Sequence, residues 1–113
     1  MNRIRVAAAV LNQTPLDWHG NRANILAAIG QARAADAQVL CLPELCITGY
    51  GCEDTFHSPG VQEMAWRVLE EIVPETRGSI VCLGLPVLHG NALFSCACVA
   101  VDGRIVGDEE ARA

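Results

Sequence analysis

The sequence predicts an α/β fold with the order βαβαβ followed by a hairpin. Three observations carry this. Short apolar runs near residues 4–11, 39–42, 79–85 and 93–101 end at prolines or polar turns, as strands do. Two longer segments, near 17–35 and 59–73, repeat apolar residues at helical spacing. Asp102-Gly103 is a hairpin turn signal. A helix between successive strands forces the first three to pair in parallel, with right-handed crossovers expected.

Ile4 to Leu11 reads Ile-Arg-Val-Ala-Ala-Ala-Val-Leu, bracketed by β-branched residues and closed by Thr14-Pro15. Asn12 and Gln13 sit at its end as loop polar residues. Asp17 can cap the first helix. Trp18, Ile25, Ile29 and Ala32 form its apolar stripe, widened by Leu26 and Ala28. Arg22, Gln31 and Arg33 fall largely outside that stripe. Gly20 weakens the first turn, and the helix is expected to run to about Ala35. Trp18 and His19 read as packing and surface residues.

Val39 to Leu42 is the second strand, and Pro43 cannot donate to a ladder, so the strand ends there. Glu44 then stands at or just past the carboxyl end of a parallel strand, the edge where α/β sheets place ligands. The next segment carries two glycines, a tyrosine and two acids, and reads as a site loop. On spacing alone Glu44 is equally a helix cap or a solvated loop acid.

Ser58-Pro59 starts the second helix, a capping serine with proline at the first helical position. Val61, Met64, Ala65, Val68, Leu69 and Ile72 form its apolar stripe. Glu63 and Arg67 make an i,i+4 pair worth about a few tenths of a kcal/mol. Pro74 ends the helix near Val73. Ser79 to Leu85 is the third strand, stopped by Pro86, and Leu93 to Val101 is the fourth. Arg104-Ile105-Val106 pairs back antiparallel. Residues 107–113 have no apolar pattern and are expected to fray.

At 113 residues the chain is one domain or part of one. Half of it is hydrophobic, enough for a sizeable core. A net charge of −5, a pI near 5.0 and the lack of any basic run argue against a nucleic-acid surface. All eight positive residues are arginines, and there is no lysine. The apolar run after Arg5 is too short for a signal peptide, and no stretch approaches the roughly 18 apolar residues of a membrane span. A cytoplasmic chain without a membrane partner is expected. The six cysteines, at 41, 46, 52, 82, 96 and 98, include no Cys-x-x-Cys pair, so no metal site is expected. Most lie in apolar runs and read as buried, reduced thiols.

Pro43-Glu44-Leu45-Cys46-Ile47-Thr48-Gly49-Tyr50-Gly51-Cys52-Glu53-Asp54 resembles the glutamate motif of the carbon–nitrogen hydrolases, the nitrilase superfamily. Its Glu-Leu-x-x-Thr-Gly-Tyr-x-x-x-Asp form is most similar to the amino-terminal glutaminase domains of glutamine-dependent NAD synthetases. The resemblance extends through Asp17-Trp18-His19-Gly20-Asn21, Gly84-Leu85-Pro86-Val87 and Asn91-Ala92-Leu93-Phe94, which is essentially the whole chain. It implies an αββα sandwich of which residues 1–113 are roughly the first half. Two helices would cover one sheet face, and the other would pack on a second sheet. Left uncovered, that second face is expected to drive self-association.

The resemblance also implies roles. Glu44 matches the general base of a Glu-Lys-Cys triad acting on an amide, with glutamine as substrate. Tyr50 matches a tyrosine beside that amide, and a packed tyrosine bonded to backbone is the equal alternative. Cys52-Glu53-Asp54 looks like the family's nucleophile context. It lies only eight residues after Glu44, inside the glutamate motif, so Cys52 reads as a loop residue and Asp54 as a loop brace. The family's lysine follows the hairpin and its cysteine comes much later, so the chain is expected to be inactive alone. ATP and magnesium would belong to a separate synthetase domain, and no cofactor is expected in this segment. Gly49-x-Gly51 lacks the third glycine of a dinucleotide fingerprint. Three readings stay open: the glutaminase segment, a fragment of another nitrilase-type amidohydrolase, and a non-catalytic α/β binding or assembly module.

Overall fold

The computed structural model describes residues 3–49, 59–89 and 92–112. The elements follow the order β1 (Val6–Ala8), α1 (Trp18–Ala34), β2 (Val39–Cys41), α2 (Pro59–Ile72), a 3-10 turn (Val73–Thr76), β3 (Ile80–His89), β4 (Ala92–Val101) and β5 (Arg104–Arg112). The five strands form one sheet in sequential order. β1, β2 and β3 pair in parallel, and β3, β4 and β5 pair antiparallel. The predicted α/β class and the βαβαβ-plus-hairpin order are both present.

The strand lengths differ from expectation for identifiable reasons. β1 keeps only three residues because its partner β2 has only three before Pro43. The Ala9 N–H donates to the Cys41 carbonyl as the last bond between them. β3 continues past Pro86. The carbonyls of Cys82 and Gly84 accept bonds from Leu42 and Ile47, so alternate residues of β3 point their backbone groups toward β2. Pro86 has the same parity, and its missing N–H takes nothing from the β3–β4 ladder. The expected frayed tail is corrected as well: β5 runs through Arg112, paired with a β4 that reaches back to Ala92. Backbone pairing defines this strand, and an apolar pattern cannot report it. A bulge opposite Val99 and Ala100 of β4 leaves Val106 of β5 without a ladder partner.

The expected caps and helix contacts are partly visible. The Gly20 N–H donates to Asp17 Oδ1 at 3.0 Å, which confirms the cap on α1. The expected Ser58 cap of α2 lies outside the described residues. Arg22 of α1 pairs with Glu71 of α2.

Both helices lie on one face of the sheet. Ile25, Ala28, Ile29 and Ala32 of α1 join Ala65, Val68, Leu69 and Ile72 of α2. These pack on Leu40, Val81, Leu83, Leu85, Cys98 and Ala100 to make the core. The alternate residues of the strands face the other way. Val6, Val39, Ile80 and Val101 form one registered row across four strands, and Ala8, Cys41, Cys82 and Val99 form the next. This face is apolar yet open: Val6 is 61% exposed and Ile80 36%.

Candidate functional site: the Glu44 turn

Pro43 ends β2, and the chain turns at once. Leu45 takes a left-handed φ of 52°, and the Gly49 N–H closes back on the Leu45 carbonyl at 2.8 Å. Gly49 itself has φ 80°, and a Cβ there would lie 2.9 Å from the Thr14 carbonyl carbon and oxygen. Glycine is needed on both counts. Leu45, Cys46, Ile47 and Thr48 are all buried, while Glu44 is exposed at the carboxyl end of β2.

Three successive carbonyls of the turn are held from the β1–α1 connection and the first turn of α1. Gln13 Nε2 donates to Cys46 O at 2.7 Å, Asn21 Nδ2 to Ile47 O at 3.1 Å, and the Leu16 N–H to Thr48 O at 2.8 Å. Asn21 is 1% exposed and fully used. Its Nδ2 also donates to Thr14 O at 2.8 Å, and its Oδ1 accepts from the Thr14 N–H at 3.0 Å. Gln13 donates a second time to Asn21 O, and its Oε1 accepts from Asn24 Nδ2 at 2.8 Å. An amide network centred on buried Asn21 therefore fixes the backbone just beyond Glu44.

β3 supports the turn from the other side. The Ile47 N–H and Cys46 Sγ both point at Gly84 O, at 3.4 and 3.9 Å. A Cβ at Gly84 would fall 2.5 Å from Leu45 N and 3.2 Å from Glu44 Cα, so only glycine allows the turn to lie against the strand. Gly84 shares its face of β3 with Ile80 and Cys82, so the Glu44–Leu45 backbone lies against that face while Cys46 and Ile47 join the helix-side core.

The chemistry of the neighbours narrows the roles. Burial pushes the Cys46 thiol up from 9.0 to about 11, against weaker backbone bonding from Gly84. It stays protonated at neutral pH and is a packing residue, as the sequence implied. Tyr50 and Cys52-Glu53-Asp54 lie outside the described residues. Among the described residues no group of three or more metal-ligating side chains occurs, and no helix is long and apolar enough to cross a membrane.

The sequence missed how the site is held. Gln13 reads there as a loop polar residue, and Asn21 only as part of a longer resemblance. Two signals were available: an asparagine in the first turns of a helix, where it is a poor helix former, and a glycine inside an apolar strand.

Residues 5–109 match the family model described as carbon-nitrogen hydrolase. The chain belongs to the carbon–nitrogen hydrolase family. Among curated relatives of this carbon–nitrogen hydrolase, the glutamine-dependent NAD(+) synthetase of Saccharomyces cerevisiae is 41% identical over 105 residues, covering 91% of this chain and 15% of the relative. The crystal structure of a glutamine-dependent NAD(+) synthetase from Cytophaga hutchinsonii superposes with a TM-score of 0.92 at 44% identity, covering 95% of this chain and 18% of that one. The NitN amidase of a Nesterenkonia species superposes at 0.80 with 25% identity, covering 96% of this chain and 44% of that one. The chain thus spans about 15% of the length of the curated relatives it matches.

Proposed function

We propose that this carbon–nitrogen hydrolase segment is the first half of a glutaminase domain, with Glu44 as its general base. The domain would release ammonia from the side-chain amide of glutamine for NAD synthesis. The observation that supports it most is the position of Glu44. It stands at the carboxyl end of a parallel strand, on a turn clamped by Gln13 and Asn21 on one side and Gly84 on the other. A general base needs its carboxylate held against a fixed proton donor, and a clamped turn supplies that.

In this reading the Glu44 carboxylate accepts the proton of a cysteine thiol as the thiolate attacks the amide carbonyl. A lysine ammonium stabilises the tetrahedral oxyanion. Glu44 then hands the proton to the departing ammonia, and afterwards activates water against the thioester. By the family resemblance Tyr50 would contact the amide substrate, a packed tyrosine bonded to backbone being the equal alternative. The sequence has no lysine, and the one described cysteine on the turn, Cys46, is buried and protonated. In this reading the family's lysine and nucleophilic cysteine lie later in the domain than any residue here, as the resemblance implies, and the 113-residue chain by itself releases no ammonia. ATP and magnesium would serve the separate adenylating site. The open sheet face takes a second sheet in such a domain, and in the isolated chain it drives self-association. The setting is cytoplasmic.

A second reading, a simple nitrilase-type amidase, draws on the likeness to the Nesterenkonia amidase. Its 25% identity against 44% for the Cytophaga synthetase favours the glutaminase. Substrate choice separates the two in a longer protein carrying this segment. Ammonia released from glutamine and not from acetamide supports the glutaminase, and the reverse preference supports the amidase.

A further inference from the structure

Gln13 Nε2 donates twice, to Cys46 O at 2.7 Å and to Asn21 O at 3.1 Å. Gln13 Oε1 accepts from Asn24 Nδ2 at 2.8 Å, and Asn24 stands one helical turn beyond Asn21 on α1. The same Asn24 Nδ2 reaches the Asn12 carbonyl at 3.5 Å. This pattern admits one orientation of each amide. Turned over, Gln13 would set its oxygen against two carbonyls, and Asn24 would set its oxygen against Gln13 Oε1 and Asn12 O. Asn24 therefore fixes which end of the Gln13 amide faces the Glu44 turn.

Gln13 holds a strained piece of backbone. Leu45 stands between Glu44 and Cys46 with φ 52°, a conformation that a bulky side chain keeps only where its surroundings impose it. Rotation about the Leu45 N–Cα bond swings Glu44 relative to the rest of the turn. The Gln13 bond to Cys46 O secures the far side of that hinge, and Gly84 packs against the near side. Without the Gln13 donor, Leu45 is free to relax toward negative φ and to carry Glu44 with it.

We propose that Gln13, oriented by Asn24, is a positioning residue that aims the Glu44 carboxylate by acting through the backbone of the turn. The proposal rests on the reading of Glu44 as the general base. Misplacing a catalytic group by about 1 Å costs about a hundredfold in rate. The loss falls on kcat and leaves KM nearly unchanged, because neither amide is assigned to substrate binding.

The test uses a longer protein that carries this segment and makes NAD. Gln13→Met keeps the length of the side chain and removes the donor. Gln13→Glu keeps the oxygen that faces Asn24 and sets another against Cys46 O. Asn24→Ala leaves Gln13 in place and frees its amide to turn over. Rates with glutamine are taken relative to rates with free ammonia, which report folded protein through the separate adenylating site. The kcat with glutamine should fall about 10- to 100-fold in Gln13→Met, further in Gln13→Glu, and by a smaller factor in Asn24→Ala. KM for glutamine should stay within about twofold in all three. Asn24→Ala should keep its unfolding midpoint, since alanine is the better helix former, so its lost kcat reports the orientation of the Gln13 amide.

A fall in kcat that tracks a fall in unfolding midpoint across the three variants would overturn the proposal in favour of a purely structural role. Glu44→Gln, made alongside, separates the two readings. If it abolishes glutamine-dependent synthesis while Gln13→Met keeps the original kcat and KM, the positioning proposal alone fails. If Glu44→Gln keeps the original rate, the base assignment fails and the positioning proposal falls with it.

Discussion

Gly84 lies directly against Glu44: a Cβ on Gly84 would stand 3.2 Å from Glu44 Cα and 2.5 Å from Leu45 N. Gly84→Ala must therefore move the backbone of β3 or of the turn. Overpacking of this kind costs about 1–3 kcal/mol. Urea unfolding should show that loss, while Gly30→Ala, an exposed helical position with nothing within 4 Å, should gain up to about 1 kcal/mol. Equal behaviour of the two variants would show that Gly84 does not support the turn.

Asn21→Ala leaves the buried Ile47 carbonyl without its side-chain partner and removes two part-buried bonds to the Thr14 backbone. An unsatisfied buried acceptor costs about 1–3 kcal/mol, so the variant should be destabilised by about that much. Amide exchange should also quicken between Thr14 and Gly49 before the core opens. Uniform exchange across the chain would show that the network does not hold the turn in particular.

Cys46 makes stability depend on alkaline pH. Its folded value, about 11, is raised above the ordinary 9.0, so the unfolded chain ionises first. The contribution is whole below pH 9 and is lost as pH rises toward 11, at about 1.4 kcal/mol per unit. Denaturant midpoints for the chain and for Cys46→Ala, measured from pH 7 to 10.5, should converge as pH rises. Parallel lines would contradict the burial of that thiol.

The open face predicts association. Val6 and Ile80 are exposed in one registered apolar row, with Val39 and Val101 half-buried beside them. Sedimentation should find the chain self-associated at micromolar concentration, and Val6→Lys with Ile80→Lys should shift it toward monomer. A monomer that the double substitution leaves unchanged would count against this use of the face.

Much of the fold was legible because it rests on local patterns. The stripe of Ile25, Ile29 and Ala32 and the breaks at Pro43 and Pro74 placed α1, α2 and β2 within a few residues. What could not be read depends on partners. β1 is short because β2 is short, and β5 is long because β4 offers it backbone bonds. The position of Glu44 at a strand end was legible from Pro43. The clamp of Gln13, Asn21 and Gly84 was not, since those residues meet the turn from distant parts of the sequence.

The assignment of Glu44 as the base of an amide-hydrolysing site is decided by Glu44→Gln in a longer protein that carries this segment and makes NAD. Glutamine-dependent synthesis should fall by several orders of magnitude, while free ammonia still supports NAD formation. Glutamine-dependent synthesis that survives the substitution at its original rate would rule Glu44 out as the base.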